Sequence, residues 1–197
     1  MRWIEFIYKY FKGDYFLIEK ERIITMQDVS YMKYAEEVMR QLPKGAFLTT
    51  KKGEKINTMA IGWGTLGIIW SRPIFTVAVR YSRHTYDLLK GATEFTVSIP
   101  LKENEQVKKA LAFSGTRSGR EVNKFKECNI TPEPGQKVDV PIVGECELHY
   151  ECKIVYRQAM EPAVVDDVIM DRFYQGNNDY HVIYYGEIVA CYTKEVD

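Results

Sequence analysis

The sequence predicts a mainly β protein: an antiparallel barrel with helices inserted between its strands. Three observations carry this. Strand signals follow one another in an order that does not alternate regularly with helices, which argues against a doubly wound parallel sheet. No GxGxxG follows a strand, so a dinucleotide-binding βαβ unit is not supported. The 197 residues are 46% hydrophobic and 27% charged, which suits a soluble globular domain with a real core.

The elements are expected in the following order. Residues 1–25 are aromatic and charged, with a break at Gly13-Asp14, and read as an N-terminal extension to a domain over 26–197. Tyr31, Tyr34, Ala35, Val38, Met39 and Leu42 recur at helical spacing, so a helix is expected over 30–42, capped by Ser30 and ended by Pro43 and Gly45. Strands are expected over 45–50, 57–63, 74–80, 94–99, 145–157 and 181–192, with a turn at Lys52-Gly53. Helices are expected over 84–90, 103–113 and 164–173, with a helical turn over 121–126. The three prolines and one glycine of 131–141 predict a loop.

Composition excludes several functions. The 27 basic and 27 acidic side chains cancel, leaving no basic excess to neutralise a nucleic-acid backbone. Any anion site must therefore be local. No run of about 18 apolar residues suggests a membrane helix, and Glu5, Lys9 and Lys12 interrupt the aromatic start, so neither a membrane partner nor a secretory signal is expected. The four cysteines form no CxxC pair and read as reduced, cytoplasmic thiols. Cys146, His149 and Cys152 lie in an alternating stretch. A strand there puts both cysteines on one face and the histidine on the other, which is poor metal geometry.

Three segments are polar and specific within apolar surroundings. In NTMAIGWGTLGIIW, residues 57–70, an apolar strand gives way to glycines at 62, 64 and 67. Such a segment suits a planar heteroaromatic ring, held by backbone groups and covered by Trp63 or Trp70. It equally suits a glycine-rich bend in a barrel. In VRYSRHTYDLLK, residues 79–90, Arg80, Ser82, Arg83 and Thr85 stand at the entry to a short helix, where an anion is favoured. The other reading is an N-capped helix with solvated arginines. In AFSGTRSGREVNKF, residues 112–125, Ser114, Thr116, Arg117, Ser118, Arg120 and Lys124 supply donors that complete an anion site or merely decorate a surface loop.

Taken in order, NTMAIGWGTLG, RPIFTVAVRYSRHTY, EFTVSIP, SGxxSGREVNKF and YHVIYYGEIVACY resemble the flavin reductase-like, FMN-binding split-barrel family, with flavoredoxins as the nearest type. The resemblance spans residues 30–192 and leaves 1–25 outside it. It implies a six-stranded antiparallel split β-barrel, usually a homodimer, with FMN near the subunit interface and FAD not excluded. By position, Thr58, Met59, Ala60, Trp63, Gly64 and Thr65 are expected to line the isoalloxazine ring. Arg80, Ser82, Arg83 and Thr85 are expected to hold the ribityl phosphate, with Ser114 and Lys124 contributing from the later loop. Family members often carry Asp where this chain has Asn123, which removes a charge beside Lys124. The implied activity is that of an oxidoreductase taking hydride from NADH or NADPH, with no side chain needed as nucleophile. His181 is the candidate for a role near the flavin, or else a strand cap. Two other classes stand beside this one: an electron carrier reduced by another protein, and a flavin-free interaction module.

Overall fold

The computed structural model describes residues 25–176 and 178–195, with the two short strand pieces Tyr10–Phe11 and Asp14–Tyr15, which pair with each other. The expectation of an extension over 1–25 falls almost wholly outside the described residues.

Eight antiparallel strands form the main sheet: β1 Thr25–Asp28, β2 Ala46–Lys52, β3 Lys55–Ile61, β4 Gly64–Ile69, β5 Arg72–Arg80, β6 Glu94–Ile99, β7 Leu148–Ala159 and β8 His181–Glu195. Their order is β3-β2-β6-β7-β8-β5-β4, with β1 pairing to the end of β8. Among the described residues, five α-helices intervene: α1 Ala35–Gln41, α2 His84–Leu89, α3 Glu105–Thr116, α4 Lys124–Glu127 and α5 Asp167–Phe173. All six expected strands are present, and β1 and β4 are added to them. The sheet curls into a barrel but does not close. Its two outermost strands, β3 and β4, are consecutive in the chain, yet no ladder joins them among the described residues. None of the described helices is long and apolar enough to cross a membrane.

Alternation along the strands fills two cores. Leu48, Phe75, Val77, Val79, Phe95, Val97, Tyr150, Cys152 and Tyr184 point into the barrel. Phe47 faces the other way and packs with Val107, Ala110, Leu111, Phe125 and Val143 beneath α3 and α4. Asn104 caps α3, its side-chain oxygen accepting from the N–H groups of Gln106 (2.9 Å) and Val107 (3.3 Å). On the outer face of β7, buried Glu151 holds the proline-rich loop. Its carboxylate accepts from the N–H groups of Gln136, Lys137 and Val138 and from the Tyr192 hydroxyl.

Two expectations are corrected. The first helix starts at Ala35, because residues 31–34 form turns and Ser30 Oγ accepts from Met32 N (3.3 Å) instead of capping a helix. Met39 is accordingly exposed, while Val38 and Leu42 reach the core. Cys146 does not share a strand face with Cys152. It lies before β7 begins and packs in the outer core, whereas Cys152 is in the barrel.

Candidate functional site

A groove runs along the open side of the barrel, where β3, the start of α2 and the end of α3 meet. One end is built for an anion. It is lined by Ser82, Arg83, His84, Thr85, Ser114, Arg117, Arg120 and Lys124, with Asn57 and Met59 from β3. α4 carries Lys124 inward so that its side chain is only 5% exposed. Its ammonium donates to the Ser114 carbonyl (2.8 Å) and forms no ion pair among the described residues. Burial, and secondarily the Arg83 charge, pull the Lys124 pKa down to about 8.

Ser114 Oγ and His84 Nδ1 are buried here with no hydrogen-bond partner. Groups of this kind are unusual in a folded chain and call for a ligand or water. Thr85, also buried, accepts from Asn57 Nδ2 (2.9 Å). Gly119 passes so close to Asn57 Oδ1 that a Cβ there would collide with it. Arg120 is held by Asp87 (2.6 Å) and the Ser82 carbonyl (2.9 Å), and the same pairing holds the Asp87 carboxyl below its ordinary value.

The other end suits a flat apolar group. Met59, Ala60, Ile61, Gly62 and Trp63 form one wall, with Ala78, Arg80, Arg83 and His181 opposite. Because β3 ends the sheet, its second edge has no strand beside it among the described residues. Trp63, 42% exposed, packs against His181 (ring centroids 4.8 Å apart) and edge-on against Phe173 (5.0 Å). His181 Nδ1 meets the Tyr174 hydroxyl at 2.7 Å. Burial, followed by the charge of Arg80, lowers the His181 pKa to about 4, so the ring is neutral near pH 7. Met59 and Arg83 line both ends, which makes the two one groove.

The structure brings together most of the residues singled out from the sequence. Ser82, Arg83, Thr85, Ser114, Lys124 and Met59 meet at the anion end, and Ala60, Trp63 and Arg80 at the flat end. Arg80 and Ser82 are engaged by the end of α5 and the segment after it. Arg80 donates to the Asp179 (2.6 Å) and Phe173 (2.9 Å) carbonyls, and Ser82 N and Oγ donate to the Asp179 carboxylate (2.9 and 2.6 Å). Thr58 is wholly buried, its hydroxyl bonded to Thr49 (3.2 Å). Gly64 and Thr65 lie on β4 outside the groove, with Thr65 Oγ1 paired to Thr76 Oγ1 (2.6 Å). Asn123 caps α4 through Lys126 N (3.2 Å), so an Asp there would serve the same cap. Sequence reasoning missed Asn57, His84, Tyr174 and Asp179. Asn57 and His84 stood inside the quoted segments, but Asp179 reaches Ser82 across 97 positions, which no local pattern announces.

Among the described residues, the open barrel thus has a buried cation without an ion pair at one end of a groove and an aromatic wall at the other, an arrangement with the shape and charge for an anion on a flat apolar body. A family model for the flavin reductase like domain matches residues 39–197, and the chain belongs to that family. An uncharacterized protein of Archaeoglobus fulgidus is 33% identical over 113 residues, covering 57% of this chain and 62% of that protein. One from Pyrococcus abyssi is 31% identical over 102 residues, covering 52% and 56%. The matched stretch is thus less than two thirds of each relative's length. Among solved structures, the flavoredoxin of Desulfovibrio vulgaris (Miyazaki F) superposes with a TM-score of 0.57 at 25% identity, covering 78% of this chain and 69% of that one. An FMN-binding domain of a flavin reductases-like enzyme from Shewanella baltica gives 0.60 at 16% identity, covering 86% and 78%. The fold is a split barrel.

Proposed function

We propose that the groove binds FMN, phosphate toward Lys124 and ring system along the β3 edge, and that the protein is an oxidoreductase drawing hydride from NADH or NADPH. One observation carries this reading: among the described residues, the Lys124 ammonium is buried without a counter-ion in the same groove whose other end is an unpaired strand edge near Trp63. A buried charge without a partner is costly, and a phosphate oxygen removes that cost with charge-assisted bonds. Ser114 Oγ and His84 Nδ1, unpartnered beside it, fit the remaining oxygens.

When bound, the flavin supplies the redox chemistry, accepting a hydride and passing electrons onward. The chain's own residues bind and orient. Lys124 and Arg83 bind the phosphate and fix the depth of the ligand. Trp63 and Met59 cover apolar ring surface, and backbone groups on the free edge of β3 answer polar ring atoms. His181, neutral and tied through Nδ1 to Tyr174, offers no charge to the ring. The exposed Ile68 and Trp70 offer apolar surface for a homodimer, checked by measuring the mass in solution.

The test is an absorption titration of the purified chain with FMN, followed by NADH or NADPH without air. A shifted flavin band that bleaches with a nicotinamide supports the reductase. Bound flavin that bleaches only with dithionite makes the protein an electron carrier. No bound flavin at micromolar excess defeats both.

A further inference from the structure

The groove does not stop at Lys124. On the far side of the Asn57–Gly119 contact, a second cleft opens between β3 and residues 119–125. It shares Asn57, His84, Gly119, Arg120 and Lys124 with the anion end, so the two clefts have a common wall. It is also larger, about 620 Å³ against about 120 Å³. Small-molecule sites span roughly 300–1,000 Å³, so the second cleft has room for an organic group while the anion end holds little more than a phosphate.

Its chemistry is graded from the common wall outward. At the wall, Lys124 has made one hydrogen bond and keeps two donors, and buried His84 Nδ1 has no partner. Two adjoining phosphates use such a wall better than one. Farther out, Ile56, 37% exposed, and half-buried Val122 line the cleft with buried Phe125, apolar surface that suits a flat base. Glu54, Lys55, Glu121 and Asn123 complete the lining. The carboxylates there accept from sugar hydroxyls.

We propose that this second cleft receives the adenosine phosphate half of FAD, so that the groove prefers the dinucleotide flavin to FMN. The proposal rests on the flavin reading above, since it needs a flavin phosphate beside Lys124. A nicotinamide dinucleotide carries the same adenosine phosphate. The second cleft, however, joins the groove at its anion end, away from Trp63, where a hydride donor must meet the flavin ring.

The experiment is calorimetric titration of the full chain with FMN, FAD and NADH, repeated on Ile56→Asp. Ile56 is a partly exposed strand residue outside the flavin end, and unchanged FMN binding shows that the variant folds. The expected result is FAD binding at least about tenfold tighter than FMN, with Ile56→Asp bringing FAD to the level of FMN. Equal affinities of FMN and FAD for the unaltered chain, or a preference for FAD that survives in a variant still binding FMN normally, overturn the proposal and leave the flavin reading standing. So does a variant that weakens NADH while leaving FAD untouched, which assigns the cleft to the nicotinamide. Failure of both flavins to bind defeats the flavin reading, and this proposal with it.

Discussion

Lys124 holds two demands in tension. Its folded pKa is about 8, against 10.5 for an unhindered lysine. Between those values the unfolded chain binds more protons than the folded one, so ligand-free stability rises with pH through that window and is depressed below it. Lys124→Met removes the buried charge. The variant should be more stable than the parent without ligand, by on the order of 1–2 kcal/mol near pH 7.5, with the gap closing toward pH 10. It should also lose at least about tenfold in FMN affinity. In the parent, FMN binding should weaken as pH passes above 8, because the proton that holds the phosphate has already left. Urea unfolding and flavin titration at pH 7.5 and 9.5 check both signs; a Met variant that is less stable and binds FMN unchanged makes Lys124 merely structural. Lys124 was legible only through the order of motifs, since a lysine in a Gly/Ser-rich stretch reads as solvated. Its burial depends on α4 folding over the Ser114 carbonyl, which spacing along the chain does not reveal.

The hairpin of β4 and β5 shows how an element can hide in a sequence. Ile69 pairs with Arg72, leaving a two-residue loop, Trp70-Ser71, with both residues at positive φ (54° and 57°). Such loops usually announce themselves as Asn-Gly or Asp-Gly, and Trp-Ser carries no such signal. Residues 57–70 therefore read as one strand and a glycine-rich bend. Trp70 holds the turn from outside by packing on Tyr156 and Tyr185 (centroids 5.9 and 6.2 Å). Ser71→Gly keeps that packing and relieves the backbone, and should stabilise the protein by roughly 0.5–1 kcal/mol in thermal unfolding; a loss would mean the turn is not strained. Gly186, in β8, makes the converse case. It opposes Ile154, where the β7–β8 register shifts, and a Cβ there would run into the Phe95 ring and Cys152. Gly186→Ala should cost about 1–3 kcal/mol through overpacking, read as a lower midpoint with an unchanged denaturant slope. The strands themselves were legible because each alternates or runs apolar between turn residues. Helix α1 was placed too early because Tyr31 and Tyr34 keep helical spacing while packing on the barrel from a turn.

At the scale of the molecule, the class of fold was legible but the order of the sheet was not. The pairings of β2 with β6 and of β5 with β8 bring distant segments together, and no local pattern encodes which apolar edges meet. The same burial that builds the barrel keeps two imidazoles neutral at separate places in it. His149, wholly buried within β7, has its pKa lowered to about 3, chiefly by desolvation and then by Lys194. His181, at the groove, is lowered to about 4. An ordinary histidine titrates near 6.5, so on acidification the unfolded chain takes up two protons that the folded chain refuses. The sign follows: stability is complete above pH 6.5 and falls as pH drops toward 4, each histidine contributing up to about 1.4 kcal/mol per pH unit. His149→Gln should therefore be less steeply acid-sensitive than the parent between pH 6 and 5, retaining the His181 share of this slope and that of His84, whose pKa burial also lowers. Urea unfolding at pH 7, 6 and 5 measures it directly. A parent whose stability is flat across that range would mean that both rings gain protons in the folded barrel. Tyr174, Arg80 and Lys194 would then have to rearrange to admit the new charges, and the groove could not keep the shape seen here in mild acid.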